Sequence, residues 1–326
     1  MINSNSITAT AHPNIAFIKY WGNRDYNLRI PSNGSISMNL AGLVTRTTLK
    51  MQSELNEDIF ILNSIAQKGG AHKRVQDFLD HLRDISQKKF FIQVESSNNY
   101  PASTGLASSA AAFAALALAG SKAFGLDFSE NQLTRLARRG SGSAARSIPD
   151  GFVEWTAGFS DLDSAAFCIA PAEHWDLWDC IAIVEKNVKQ ISSTEGHLLA
   201  ETSPLQKTRV ADATRRLEIC RSAIKNKDFA ALAEIIELDS HMLHAVMLTS
   251  RPSLMYWNGT SVDIMKEVIS WRKMGIPAAF TLDAGPNVHI ICTGDYVERV
   301  KEKLINMPGV IDILVSSVGE GARIIS

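Results

Sequence analysis

Cysteine is scarce in this sequence: Cys168, Cys180, Cys220 and Cys292 are the only four in 326 residues. They form no CxxC pair and no useful His/Cys spacing, so neither a structural zinc site nor a disulfide framework is expected. Net charge is nearly absent as well, at a formal -1 with a pI near 6.7. No overall field therefore favours nucleic acid or an anionic membrane, and any phosphate site must be local. Long apolar runs are missing too. The most apolar stretch, Ala107 to Gly120, is alanine-rich, broken by serine, and shorter than the roughly 20 residues a membrane-crossing helix needs. It reads as core. Met1 to Ser6 has neither the basic start nor the apolar centre of a signal peptide, so secretion is not expected. His241 and His244 lie three apart on an expected helix, but no HExxH pattern or matching carboxylate accompanies them, and packing roles outweigh metal ligation.

What is present suits an ordinary globular protein. With 45% hydrophobic and 21% charged residues, the chain can bury a substantial core in one large domain or two intimate ones. Periodicity gives a β-rich first quarter: strands over 7–11 and 15–22, a turn feeding strand 30–40, and strand 44–51. A strand over 58–62, a helix over 74–85 and a strand over 88–95 follow. Ser129 and Gln132 form a capping box for a helix ending near Arg138-Arg139-Gly140. Further strands are expected over 152–155 and 179–185. The pattern then turns helical over 207–226, 229–249 and 261–274. Strands 278–282 and 288–293, a helix over 296–305 and a strand over 310–318 close the chain. The change of texture near residue 190 predicts two packed lobes, 1–190 and 191–326, with no flexible linker between them.

Four segments carry chemistry. The first joins strand 88–95 to an alanine-rich helix through Asn99-Tyr100-Pro101-Ala102-Ser103-Thr104-Gly105-Leu106-Ala107-Ser108-Ser109. A helix N-terminus offers unpaired N–H groups and partial positive charge, and Gly105 with Ser108 and Ser109 suits phosphate or a phosphate-bound Mg²⁺. The same residues also suit a loop leading into a close-packed helix. In the second, Lys19-Tyr20-Trp21-Gly22 puts an ammonium where an apolar strand ends. The third, Ser141-Gly142-Ser143-Ala144-Ala145-Arg146, combines hydroxyls with a guanidinium whose planar fork matches two oxygens. The fourth sets Asp283 after a buried strand and before Ala284-Gly285-Pro286-Asn287, as a turn former or an active-site carboxylate.

Taken together these segments resemble one family. His12-Pro13-Asn14-Ile15-Ala16 with Lys19-Tyr20-Trp21-Gly22, Pro31 to Ser37, the 99–111 loop, Gly140 to Ser147, Ser192 to Gly196, Asp239-Ser240-His241 through Val246, and Asp283 to Asn287 look like the mevalonate diphosphate decarboxylases of the GHMP kinase superfamily. The motifs keep the family's order and span nearly the whole chain. The resemblance implies an α+β, two-lobed GHMP kinase-like fold. It has an N-terminal, ATP-binding, β-rich lobe (ribosomal protein S5 domain 2-like) and a C-terminal α/β lobe. It also implies ATP- and Mg²⁺-dependent decarboxylation of a 5-phosphorylated mevalonate in isoprenoid biosynthesis, in a cytoplasmic homodimer.

By this resemblance Asp283 sits at the substrate's C3 hydroxyl as base or orienting carboxylate, with Lys19 beside it to keep it ionised. Arg146 grips the C1 carboxylate and Asn14 orders the Lys19 region. Tyr20, Asn23, Ser141 and Ser143 bind the substrate and its 5-phosphate end. Ser103, Gly105, Leu106, Ala107, Ser108 and Ser109 hold the ATP phosphates, Ser109 with the Mg²⁺, and Ser96, Ser97 and Asn98 lie near the adenosine. One departure stands out. Decarboxylases that act on the diphosphate commonly carry a lysine after Lys-Tyr-Trp-Gly, where this chain has Asn23. That loss of charge leans the reading to mevalonate 5-phosphate, giving isopentenyl phosphate, although Arg24 could supply the missing cation. The diphosphate, giving isopentenyl diphosphate, is the close second. A mevalonate 3-kinase that stops before decarboxylation and a non-catalytic ligand sensor are the remaining readings.

Overall fold

A computed structural model describes residues 6–100, 108–186 and 193–325. Its strands form three main sheets. The first has six strands in the order Arg323–Ile324, Ser6–Ala11, Thr45–Met51, Ile92–Asn98, Ile59–Leu62 and Ile65–Ala66. In the second, Ala166–Ala170, Phe152–Trp155, Ser35–Asn39 and Asn14–Ile18 run side by side, all antiparallel. The third is built from both sides of position 190, with Ala278–Thr281, Val288–Thr293, Leu177–Ile183 and Asp312–Ser317 in that order. A two-stranded hairpin, Asn23–Asp25 with Ile30–Pro31, projects beside the second sheet's outermost strand.

Each sheet is covered by helices whose small or apolar faces match it. The Ser108–Ala123 helix is alanine-rich because it lies flat in the core: Ala110, Ala111, Ala114, Ala115, Ala117 and Ala119 are all fully buried. Small side chains let its backbone approach the first sheet and the Gly69–Ser86 helix closely. Gly140 is fixed by the same crowding, since a Cβ there would fall 2.0 Å from the Phe113 ring. The Glu130–Gly140 helix starts on the expected capping box, with Ser129 N–H donating to Gln132 Oε1 at 2.9 Å; such a cap contributes about 1 kcal/mol. The Phe229–Thr249 helix packs between the second and third sheets, and Ile15, Phe17, Ile36, Phe152, Ile181, Ile235 and Ile291 share one apolar cluster across that boundary.

Most expected elements are present within two or three residues of their predicted ends, but the Gly69–Ser86 helix begins five residues before its expected start and the Ile92–Asn98 strand four residues after. Other departures have local causes. The chain leaves the sheet at Ile18, four residues before the expected end, because Lys19 to Gly22 turn into the site. The 207–226 helix is divided at Asp212, which separates Gln206–Ala211 from Ala213–Asn226. The Gly142–Ser147 segment, expected as an irregular helix exit, is a 3₁₀ helix. No described helix is long and apolar enough to cross a membrane.

Candidate active site

The centre of the site is the end of the fully buried Asn14–Ile18 strand. There the Lys19 backbone is gripped on both sides. Its N–H donates to Asp239 Oδ2 at 2.6 Å, and its carbonyl accepts from Arg209 Nη2 at 2.7 Å and Asn33 Nδ2 at 2.9 Å. Asp239 also accepts from Arg216 Nη1. Arg209, Arg216 and Asp239 are at most 1% exposed, so two guanidiniums share one carboxylate inside the protein. Such a network is expensive to disturb, because removing one member strands the others without solvent.

With its backbone fixed, the buried Lys19 side chain reaches across to Asp283, Nζ to Oδ1 at 2.7 Å. Asp283 follows the Ala278–Thr281 strand in a tight turn, with Gly285 N–H donating to its carbonyl at 2.8 Å. Ser240 Oγ accepts from Leu282 N–H at 3.0 Å, so adjacent residues of one helix anchor both partners. Asp283 is partly open while Lys19 is closed off. The carboxylate can therefore meet a ligand with an ammonium fixed behind it.

Arg146 forms the next wall. Nη1 donates to Ser35 Oγ at 2.5 Å and Nη2 to Asn14 Oδ1 at 3.1 Å, while Asn14 Nδ2 donates to Ser147 Oγ at 2.8 Å. Its Nε is buried with no acceptor among the described residues. Burial pushes the guanidinium down to about 10, with the Asp283 carboxylate opposing that shift. A buried cation with an unused donor is a ready seat for a carboxylate.

Tyr20 lies between these groups and the small hairpin. Its hydroxyl donates to Asn23 Oδ1 at 2.5 Å, its ring meets Trp155 edge-on at 4.8 Å, and it stacks on His197 at 4.2 Å. Burial raises the phenol to about 12. His197 Nδ1 accepts from Gly22 N–H at 2.9 Å, which places its remaining proton on Nε2, and burial lowers its pKa to about 3. Gly142 must be glycine here, since a Cβ would sit 2.6 Å from the Tyr20 ring.

Three hydroxyls join this pocket to the alanine helix: Ser109 Oγ lies 3.2 Å from Ser141 Oγ, which lies 3.4 Å from Ser143 Oγ. Beyond Ser109 a cavity opens with a floor of Phe60, Val94 and Phe113 and a rim of Thr47, Ser96, Asn98 and Ser108. An apolar slot ending in hydroxyls at a helix N-terminus fits a nucleotide, base inward and phosphates toward Ser109. Among the described residues no cluster of three His, Cys, Asp or Glu side chains gathers around it, so a Mg²⁺ held there would be carried chiefly by nucleotide oxygens.

Ser96 and Asn98 line this cavity, but Ser97 does not. Strand alternation turns it to the other face, where it is exposed. Ser103, Gly105, Leu106 and Ala107 lie outside the described residues. Arg24 is engaged elsewhere: its guanidinium donates to the carbonyls of Pro31, Ala157 and Gly158 and lies 5.6 Å from the Phe159 ring centre. It is not the cation expected at Asn23.

Several contributors escape motif reading. Arg209 and Arg216 sit seven apart on separate helices and carry no local signature. Asp239 and His197 lie within or beside motifs named above but had no role to suggest. A second buried pair, His289 Nδ1 with Asp179 Oδ2 at 2.6 Å, lies behind Lys19. Burial raises the Asp179 carboxyl, with His289 and Lys19 opposing that shift.

Known proteins resemble this chain over almost its whole length. Residues 11–166 match the model for the diphosphomevalonate decarboxylase-like N-terminal domain, and residues 180–323 that for the mevalonate 5-diphosphate decarboxylase C-terminal domain. The diphosphomevalonate decarboxylase of Candida albicans is 38% identical over 322 residues, covering 93% of this chain and 87% of that one. The phosphomevalonate decarboxylase of Haloferax volcanii is 32% identical, covering 90% of each. Among solved structures, the mevalonate diphosphate decarboxylase of Staphylococcus aureus superposes with a TM-score of 0.93 at 37% identity, over 98% of both chains. The complex of MDDEF with MVAPP, AMPPCP and magnesium superposes at 0.92 with 38% identity, over 98% of this chain and 99% of that one.

Proposed function

The chain belongs to the diphosphomevalonate decarboxylase family of the GHMP kinase superfamily, and we propose that it converts mevalonate 5-diphosphate, ATP and Mg²⁺ to isopentenyl diphosphate, CO₂, ADP and phosphate. The expectation of a monophosphate rests on Asn23 alone. The relatives weigh against it: diphosphomevalonate decarboxylases are up to 39% identical, the phosphomevalonate decarboxylase 32%.

The observation that carries the mechanism is the Lys19–Asp283 pair beside a buried Arg146 with a spare donor. Asp283 receives the C3 hydroxyl proton, or orients that hydroxyl, as its oxygen attacks the γ-phosphorus of ATP. Lys19 keeps Asp283 anionic before the attack and stabilises charge around the transferring group. A Mg²⁺ carried in with the nucleotide beside Ser108 and Ser109 would neutralise phosphate charge. Arg146 and Asn14 seat the C1 carboxylate. The new C3–O–phosphate bond then breaks with its electron pair on the departing phosphate, and the C2–C1 bond supplies electrons to the C2–C3 double bond as CO₂ leaves. Tyr20, Asn23, Ser141 and Ser143 hold the 5-phosphate end. Ser96, Asn98, Ser108 and Ser109 hold the nucleotide. The cytoplasmic homodimer that the sequence resemblance implies is part of this proposal.

Incubation with ATP, Mg²⁺ and each phosphorylated mevalonate tests the reading. CO₂ release, with a higher kcat/KM for the diphosphate, is the expected result. A stable 3-phosphorylated product without CO₂ would make the protein a 3-kinase.

A further inference from the structure

The helix that holds the Lys19 backbone also covers an open strand edge. Ala278–Thr281 is the outermost strand of the third sheet and pairs on one side with Val288–Thr293. Backbone groups of alternate residues therefore point away from the sheet, and because the strand is buried they need partners other than water. Ala278 O accepts from Arg272 Nη1 at 2.8 Å, Phe280 N–H donates to Glu237 Oε1 at 3.2 Å, and Leu282 N–H donates to Ser240 Oγ at 3.0 Å. Glu237 and Ser240 lie three apart on the Phe229–Thr249 helix, and His244 follows four later on the same face. Its ring hydrogen-bonds to the Leu282 backbone. Leu282 N–H is already given to Ser240, and His244 Nε2 has no partner among the described residues, so the contact is Nδ1–H donating to the Leu282 carbonyl.

Both backbone groups of the residue before Asp283 are thus held by one helix face. The Leu282 carbonyl belongs to the planar peptide that carries the Asp283 nitrogen, so fixing that oxygen fixes the plane from which the carboxylate springs. On the other side, Ala284 packs in one apolar cluster with Leu243, Met247 and Trp21. Burial, and after it the Lys19 charge, pushes the His244 imidazole down to about 3, against the Leu282 contact and the Asp283 carboxylate. A neutral ring holds the carbonyl without placing a second cation beside Lys19.

We infer that His244 is a positioning residue: its Nδ1–H holds the Leu282–Asp283 peptide plane and so sets the direction from which the Asp283 carboxylate meets the C3 hydroxyl. This rests on the decarboxylase reading above. The effect runs through the backbone, so it falls on turnover rather than on binding.

The test compares the parent enzyme with His244→Asn, His244→Gln and His244→Leu. Asparagine places an amide N–H where Nδ1 lies, glutamine places one where Nε2 lies, and leucine has no donor. His244→Leu should lower kcat about tenfold to a hundredfold, with KM for mevalonate 5-diphosphate and for ATP within about threefold of the parent. His244→Asn should restore kcat to within about fivefold of the parent, and His244→Gln should not. An effect confined to KM, or rescue by Gln equal to or better than that by Asn, would overturn the assignment. If His244→Leu folds poorly, the Asn and Gln variants carry the comparison well below their Tm values. Nitrogen-15 spectra of labelled histidines test the contact without turnover, the His244 signals being those lost in His244→Asn. At about pH 6 the parent should show a neutral ring protonated at Nδ1; protonation at Nε2, or an imidazolium, would overturn the assignment. Failure of the parent to release CO₂ would count against the decarboxylase reading, and the tautomer would still report on His244.

Discussion

Asp239→Asn tests whether the buried network or the visible ion pair fixes the site. The substitution keeps the volume but replaces a carboxylate oxygen with an amide and removes the charge shared by Arg216 and Arg209, which are 0% and 1% exposed. Breaking a buried pair by removing one partner typically costs about 3–5 kcal/mol, since the other charge is left without solvent. Unfolding entropy of roughly 2 cal/mol/K per residue gives about 0.7 kcal/mol/K for a chain of 326 residues. The expected fall in Tm is therefore about 4–7 °C. Activity should fall further than stability does, because Asp239 Oδ2 also holds the Lys19 N–H at 2.6 Å. Loosening Lys19 by even 1 Å would cost on the order of a hundredfold in kcat. Calorimetry and steady-state assay well below the new Tm separate the two effects. A Tm within about 1 °C of the parent together with near-normal kcat would refute the reasoning, because neither the pairing energy nor the positioning would then reside in Asp239.

Three further outcomes follow from the same geometry. Asp283→Asn should lower kcat by at least about a hundredfold while substrate binding stays measurable, and near-normal turnover would reject its role. Arg146→Gln should raise KM and lower kcat together, since the carboxylate seat is used in binding and in CO₂ loss; an effect on KM alone would limit Arg146 to recognition. His244, with His197, contributes to the acid limb of stability. His244 is 1% exposed, its Nε2 has no hydrogen-bond partner among the described residues, and burial reinforced by Lys19 depresses it to about 3. The folded state thus keeps it neutral while the unfolded chain protonates it near pH 6.5. Its contribution is complete above that pH and is lost as pH falls toward 3, at about 1.4 kcal/mol per unit. Urea unfolding between pH 6.5 and 4.5 should show His244→Leu with a slope shallower by about one proton; an unchanged slope would reject the assignment.

The fold was largely legible because its signals are local. The Phe229–Thr249 helix matches its predicted span, and the capping box at Ser129 forms as spacing suggested. The three candidates stood out in the sequence, since Lys19 and Asp283 open short motifs and Arg146 closes one, and the fold brings Lys19 and Asp283 into contact. What supports them did not. Lys19 and Asp239 are 220 positions apart, and nothing in the periodicity of either segment records that one N–H meets the other's carboxylate. Likewise, the Leu177–Ile183 strand lies before position 190 yet pairs with Val288–Thr293 and Asp312–Ser317, because strand partners are chosen by sheet position rather than chain order. Ser97, expected by resemblance near the adenosine, does not line the cavity of Ser96 and Asn98, because the period of two turns it to the exposed face.

The substrate question shows why a single position is a weak guide to specificity. Reading Asn23 as a lost charge assumes that the cation must come from that position. In the folded chain the direction of each hairpin side chain is set by backbone conformation rather than by order. Arg24 is carried outward to the Pro31, Ala157 and Gly158 carbonyls, whereas Arg29, which has a positive φ, is tied to Arg139 O. A single missing lysine therefore does not by itself decide which ester is bound, because a phosphate with several equivalent oxygens can accept a contact from more than one side.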